Sequence, residues 1–253
     1  MLWAALLLAA TPFRPLRDGV DYAELKFSAG ATLHVVRIDP DRAPLELALS
    51  SRDGKGKRTA KQWADERNFI VTLNAGMFET DHRSNTGRLV DGEHENNAAW
   101  KSAYQSVLVL NPKKPKLPSA QIVDLDAPGS KELINQYGSM VQNLRLIKGA
   151  GTSVWKKNGR AWSEAAIAQD AQGHILFLFT RAPFQMAEWN EKLLALPLGV
   201  VRAFHVEGGP EASLSIHASD VTLDACGSYE TGFVEDERNA EQWALPNVIG
   251  VKR

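Results

Sequence analysis

The chain has 253 residues, 44% of them apolar and 23% charged, the profile of a folded globular protein. Twenty-nine basic residues against 30 acidic ones leave a formal charge of -1, which argues against a nucleic-acid binder. The single cysteine, Cys226, excludes an internal disulfide, a Cys-rich zinc site and an iron–sulfur cluster.

Met1 to Ala10 form an unbroken apolar run followed by small residues near Thr11. The run is too short to span a bilayer and reads as the core of a secretory signal without its charged leader. Residues 1–11 are therefore expected to direct export to a periplasmic or extracellular space. Residues 12–253 are expected to form the mature domain. No later stretch reaches the roughly 18 consecutive apolar residues that a membrane-spanning helix needs.

Tyr22–Phe27, Thr32–Ile38 and Leu45–Leu49 are short β-branched or alternating runs separated by Gly, Asp and Pro, and they predict a meander. Thr59-Ala-Lys-Gln62 has the spacing of a capping box, and Ala60, Trp63, Ala64 and Arg67 continue it at helical period. Phe69–Leu73 is continuously apolar and predicts a strand buried on both faces. Ser106–Leu110 is a second such run, leading into a Pro/Lys connection at Asn111–Pro118.

Ser130–Tyr137 predicts a short helix, whereas Met140–Ile147 fits helix or strand equally. Ala165–Gln169 and Ile175–Thr180 predict paired strands joined by a turn through Asp170–Gly173. Pro183 at the start and Pro197 past the end bracket a helix with Met186, Trp189, Leu193 and Leu194 on one face. Val201–Val206, Ser213–Ile216 and Val248–Val251 read as closing strands. The expectation is one α+β domain with a large mixed β-sheet and a few covering helices.

Several familiar signatures fail on inspection. His205-Val-Glu207 imitates a deaminase motif, but its Cys-x-x-Cys partner is impossible with one cysteine. Gly149-Ala-Gly151 lacks the third glycine of a dinucleotide fingerprint and the lysine of a phosphate loop. No Gly-x-Ser-x-Gly elbow occurs. No cofactor is implied.

What remains is chemistry at strand ends. Asn74-Ala-Gly76-Met-Phe78 follows directly on a buried strand, where an amide can point into a cleft or merely close a turn. Glu207 ends a largely apolar strand beside Gly208 and Gly209, whose backbone amides can form an anion-binding nest. Glu164 is a second carboxylate near a sheet edge. Asn143 and Arg145 place an amide and a guanidinium in apolar surroundings, suited to sugar hydroxyls, phosphate or plain core bonding.

Together these segments resemble the phosphodiester glycosidase family, whose animal member removes N-acetylglucosamine from a mannose phosphate. Asn74-Ala-Gly-Met-Phe78 looks like the family's Asn-Gly-Gly-Phe-Phe, and Glu207-Gly-Gly-Pro-Glu-Ala-Ser213 stands in the place of its Asp-Gly-Gly-Gly-Ser-Ser. Leu245-Pro-Asn247 resembles its C-terminal Pro-Asn-Ala strand. Where the family carries Arg-Thr-Ala-Ile-Gly, this chain reads Trp162-Ser-Glu164-Ala-Ala-Ile167, so a family arginine is replaced by neutral or acidic groups. The pattern looks like a divergent bacterial branch.

The resemblance implies a hydrolase of glycosyl phosphodiesters or related glycosidic bonds in envelope or extracellular glycans. Its partner is a small glycan or glycosyl phosphate. Glu207, Glu164 and Asn74 are the expected catalytic residues, with Glu207 activating water. Gly76, Asn143, Arg145, Gly208, Gly209, Ser213 and Asn247 are the expected substrate contacts. If Glu164 and Glu207 share one cleft, one of the two carboxyl pKa values should rise. Two other readings stand beside this one: a non-catalytic glycan-binding envelope protein, and a metal-assisted hydrolase using His205, Glu207 and His217.

Overall fold

A computed structural model describes residues 13–253, so the expected signal segment lies outside the described residues. The strands divide between two sheets. The larger runs in the order Arg14–Arg17, Val20–Ser28, Ala31–Ile38, Ile175–Phe184, Trp162–Asp170, Val200–Gly208, Tyr137–Lys148, Leu89–Asp91, His94–Asn97. Ser106–Pro112 joins it beside Tyr137–Lys148 and carries Ala120–Asp124 in turn. The smaller is Thr222–Cys226, Ser213–His217, Phe69–Asn74, Asn247–Lys252, Leu45–Leu49.

The α+β class expected from the sequence is what forms. The strands are not mixed in direction, however: every strand pairing among the described residues is antiparallel. The helices cap the two outer faces instead of serving as crossovers between neighbouring strands, so no parallel pairing is imposed.

Alternation along each strand builds the layers. In the larger sheet Val36, Ile38, Ile167, Phe177 and Phe204 face the smaller sheet, and Leu47, Val71, Leu73, Leu214 and Ile249 meet them from the other side. The opposite face of the larger sheet, through Leu33, Val35, Ala166 and Leu178, packs on Met186, Trp189 and Leu193 of the helix Met186–Ala195. The outer face of the smaller sheet, with Ala48, Phe69 and Val248, packs on Trp63 of the helix Ala60–Arg67. The result is helix, sheet, sheet, helix.

Local chemistry explains most boundaries. Thr59 accepts a hydrogen bond from the Gln62 amide, and the Gln62 side chain accepts one from the Thr59 amide, completing the capping box. Asn68, in the left-handed region, ends that helix and turns the chain directly into the buried strand Phe69–Asn74. The Asp170 carboxylate accepts from the amides of Gln172 and His174 and so closes the predicted hairpin.

Three boundaries differ from expectation. The helix at Ser130 stops at Ile134, and Tyr137 already begins a strand. The ambiguous Met140–Ile147 run lies within that strand, Tyr137–Lys148. It pairs first with Ser106–Pro112 and then with Val200–Gly208. Pro183 does not open the following helix; it lies in the strand Ile175–Phe184, where the register slips between Thr180 and Phe184. A proline is tolerated at such a bulge because no ladder hydrogen bond is required of it.

The capping box should contribute measurably to stability. Thr59→Ala is expected to lower the unfolding free energy by about 1 kcal/mol, read from urea denaturation, while Lys61→Ala leaves it nearly unchanged.

Candidate active site

The Asn74–Phe78 segment leaves the centre of the smaller sheet and is tied down on every side. The Asn74 amide nitrogen donates to the Glu211 carbonyl at 3.0 Å, and its oxygen accepts from the Ser213 amide at 2.8 Å. Ala75 donates to the Asn247 carbonyl at 3.2 Å and accepts from the Asn143 side chain at 2.9 Å. A Cβ at Gly76 would lie 2.5 Å from Asn143 Oδ1 and 2.6 Å from Asn85 Oδ1, so only glycine fits there. Asn74, Gly76, Asn143, Ser213 and Asn247, scattered in sequence, therefore meet at one knot.

These contacts bear on the role each residue can play. Asn74 and Asn143 are fully buried and bonded to backbone, which fits them to hold loops. The Asn247 amide donates to the Arg83 carbonyl at 3.2 Å and accepts from Asn96 at 3.4 Å. Arg145 is not among them: its guanidinium is paired with Asp126, at 2.6 and 3.1 Å.

Above the knot opens a cleft of about 580 Å³. Met77, Phe78, Tyr104, Phe233 and Trp243 give it apolar walls, and Glu79, Glu207, Glu211 and Glu230 line it with carboxylates. Glu207 comes from the end of Val200–Gly208. A register shift in the pairing with Trp162–Asp170 sets Glu207 opposite Ala165 and His205 opposite Ala166. Such a bulge re-aims the residues on either side of it.

Burial drives the Glu207 carboxyl up to about 8; His205 opposes the rise, and Glu211 and Glu230 add to it. Burial also raises Glu211 and Glu230. Tyr104 is pushed up to about 12 by burial and by the neighbouring charges of Glu207 and Glu79.

Glu164 lies behind this wall, wholly buried. Both its oxygens stand 2.9 Å from His205 Nδ1, and one accepts from the Trp162 indole at 2.7 Å. Burial raises Glu164 against the pull of His205. For His205, burial acts downward and the adjacent carboxylate overrides it, so the imidazole rises. Carboxylate and imidazole thus share one proton, and with it the pair is net neutral. Both carboxyls therefore rise, each through burial first and neither through the other: Glu164 is engaged by histidine, and Glu211 and Glu230 add to the rise on Glu207.

The glycines of the motif serve packing as well as turning. A Cβ at Gly208 would come within 2.7 Å of the Trp162 ring, and one at Gly209 within 2.9 Å of Glu230 Cβ. The Gly208 amide donates to the Glu207 carboxylate at 3.1 Å. His217 does not approach His205 or Glu207: it bonds to Asp224 at 2.9 Å on the smaller sheet. Among the described residues no group of three or more His, Cys, Asp or Glu side chains is arranged to hold a metal. Tyr104, Glu230 and Phe233, absent from the sequence-based site, carry no local motif and reach the cleft through loops.

Residues 67–252 match the phosphodiester glycosidase family model, and the chain belongs to that family. The catalytic domain of a zebrafish N-acetylglucosamine-1-phosphodiester α-N-acetylglucosaminidase, auto-inhibited by its pro-peptide, has a similar fold. Its TM-score is 0.59 at 12% identity, over 92% of this chain and 82% of its own. A hypothetical protein from Synechocystis aligns with a TM-score of 0.61 at 15% identity, over 96% of this chain and 64% of its own. No curated protein matches by sequence.

The Glu164–His205 pair makes a direct prediction. In Glu164→Gln the imidazole should titrate at lower pH than in the parent protein, read by NMR of the ring protons. An unchanged titration would mean that the carboxylate does not hold the imidazole's proton.

Proposed function

We propose that this chain is a hydrolase cleaving a bond at the anomeric carbon of a glycan, a glycosyl phosphodiester or a related glycosidic linkage, in the cleft around Glu207. The observation that carries the reading is a carboxyl with a raised pKa, presented beside aromatic walls at the end of a rigid strand. A group held near 8 is protonated at neutral pH and can give its proton to the departing oxygen. This role departs from the water-activating base expected from the sequence. The cause is the buried, carboxylate-rich setting of Glu207.

The other residues support that step. Phe78 and Tyr104 line the cleft in which the sugar would lie, as aromatic side chains commonly do in ligand sites. Asn74 fixes the turn at Glu211–Ser213, Asn143 and Asn247 fix Ala75, and Gly76 lets these side chains close in. Glu164 acts through His205, whose charge in turn steadies Glu207. Glu230 and Glu211 line the same cleft and are the further carboxylates available to activate water. The substrate is assigned to envelope or extracellular glycans, in keeping with the apolar leader-like run at the N-terminus. No helix among the described residues is long and apolar enough to cross a membrane.

Two measurements test this. Glu207→Gln should lower kcat on a responsive glycoside by on the order of 10²-fold or more, with KM less affected. In the parent protein kcat should fall as pH rises through about 8, because the acid is then lost. A rate that climbs through the same range would make Glu207 a base. No turnover of any glycoside or glycosyl phosphate would end the hydrolase reading.

A further inference from the structure

One wall of the cleft, formed by Glu230, Phe233, Val234 and Trp243, lies on the chain between the strands Thr222–Cys226 and Asn247–Lys252. That stretch carries no regular helix or strand. A segment of this kind keeps a fixed shape only through its ties to the scaffold. Here the ties converge on two residues of the larger sheet, Ser163 and Arg181.

The pairing of Trp162–Asp170 with Ile175–Phe184 slips between Trp162 and Glu164, and Ser163 and Arg181 lie within that slip. The Ser163 hydroxyl donates to the Arg181 carbonyl and accepts from the amides of Ser228 and Tyr229 at 3.0 and 3.3 Å. The Arg181 guanidinium donates to the carbonyls of Cys226 at 2.7 Å, Glu237 at 2.9 Å and Asn239 at 2.5 Å. The Asn239 amide nitrogen donates to the Gly227 carbonyl at 2.6 Å, and its oxygen accepts from the Trp243 indole at 3.2 Å. Arg181 therefore grips both ends of the loop 227–239, and through Asn239 the grip extends to Trp243. A planar guanidinium with its donors in a rigid fork suits several fixed acceptors, whereas a lysine ammonium is a point on a flexible stem.

Arg181 itself does not line the cleft. It borders a separate cavity of about 370 Å³ with His34 and Glu237. Glu207 stands on Val200–Gly208, and the turn after it is held by Asn74, so the proposed proton donor is placed by other contacts. We propose that Arg181 is a positioning residue: by clamping the 227–239 loop it sets the wall of Glu230, Phe233 and Trp243, and with it the affinity for substrate and not the chemical step. This rests on the cleft being the glycan site proposed above, and it adds which part of the scaffold governs binding there.

The sole cysteine reports on the clamp directly. Cys226 is buried, and its sulfur lies 3.5 Å from Nη1 of Arg181. In Arg181→Met the thiol should react with an aromatic disulfide reagent at least about tenfold faster than in the parent protein, because the loop opens locally. On a glycoside or glycosyl phosphate that the parent turns over, KM should rise at least about fivefold while kcat stays within about twofold and keeps its fall toward alkaline pH. Arg181→Lys should recover part of both losses. Asn239→Ala cuts the ties to Gly227 and Trp243 from the loop's own side and should give the same pattern; it decides the matter if Arg181→Met does not fold.

A thiol equally protected in the variants of an active parent would overturn the proposal and leave the hydrolase reading standing. So would an exposed thiol with KM unchanged, or a fall in kcat alone. A parent protein without turnover of any glycoside or glycosyl phosphate would remove the hydrolase reading, and this proposal with it.

Discussion

Everything at the mouth of the cleft depends on the two hydrogen bonds made by one buried amide, Asn74. It stands at the end of the central strand of the smaller sheet and grips the turn after Glu207 by both a carbonyl and an amide. Asparagine suits this post because a single planar group supplies a donor and an acceptor together, which matches two points on a backbone. Aspartate would lose the donor and leave the Glu211 carbonyl with the Ser213 hydroxyl alone, at 3.2 Å. The same segment continues into Ala75 and Gly76, where Asn143 and Asn247 join the larger sheet's long strand and the C-terminal strand to the knot. Motif residues that look like substrate contacts in sequence are thus, in large part, the framework that holds the cleft open.

The chemistry lies one layer above that framework. A bulge turns His205 back toward Glu164 and leaves Glu207 at the cleft, so adjacent odd positions of one strand face different surroundings. Behind the wall, opposite charges neutralise each other; in front of it, like charges accumulate. Burial is what raises Glu207, against the pull of His205, and the two further carboxylates in front of the wall add to the rise.

The double sandwich makes this asymmetry affordable. Both sheets are covered by a helix on the outside and by each other on the inside, so the strands that carry Asn74 and Glu207 have little freedom to shift. Phe233 is 85% exposed at the cleft, an unusual setting for a large apolar ring.

The sequence by itself determined the strands whose two faces are both buried, because continuous apolar runs such as Phe69–Leu73 and Ile175–Thr180 admit little else. It determined the Ala60–Arg67 helix through its capping box, and the match over residues 67–252 that places the chain in its family. It did not determine strands such as Leu89–Asp91 and His94–Asn97, whose short, polar stretches pair only because the longer strand Tyr137–Lys148 is already in place. Nor did it decide which carboxylate meets a histidine and which meets the cleft. That choice depends on a register shift between two strands some forty residues apart, and pairing register is a property of the assembled sheet, not of either segment.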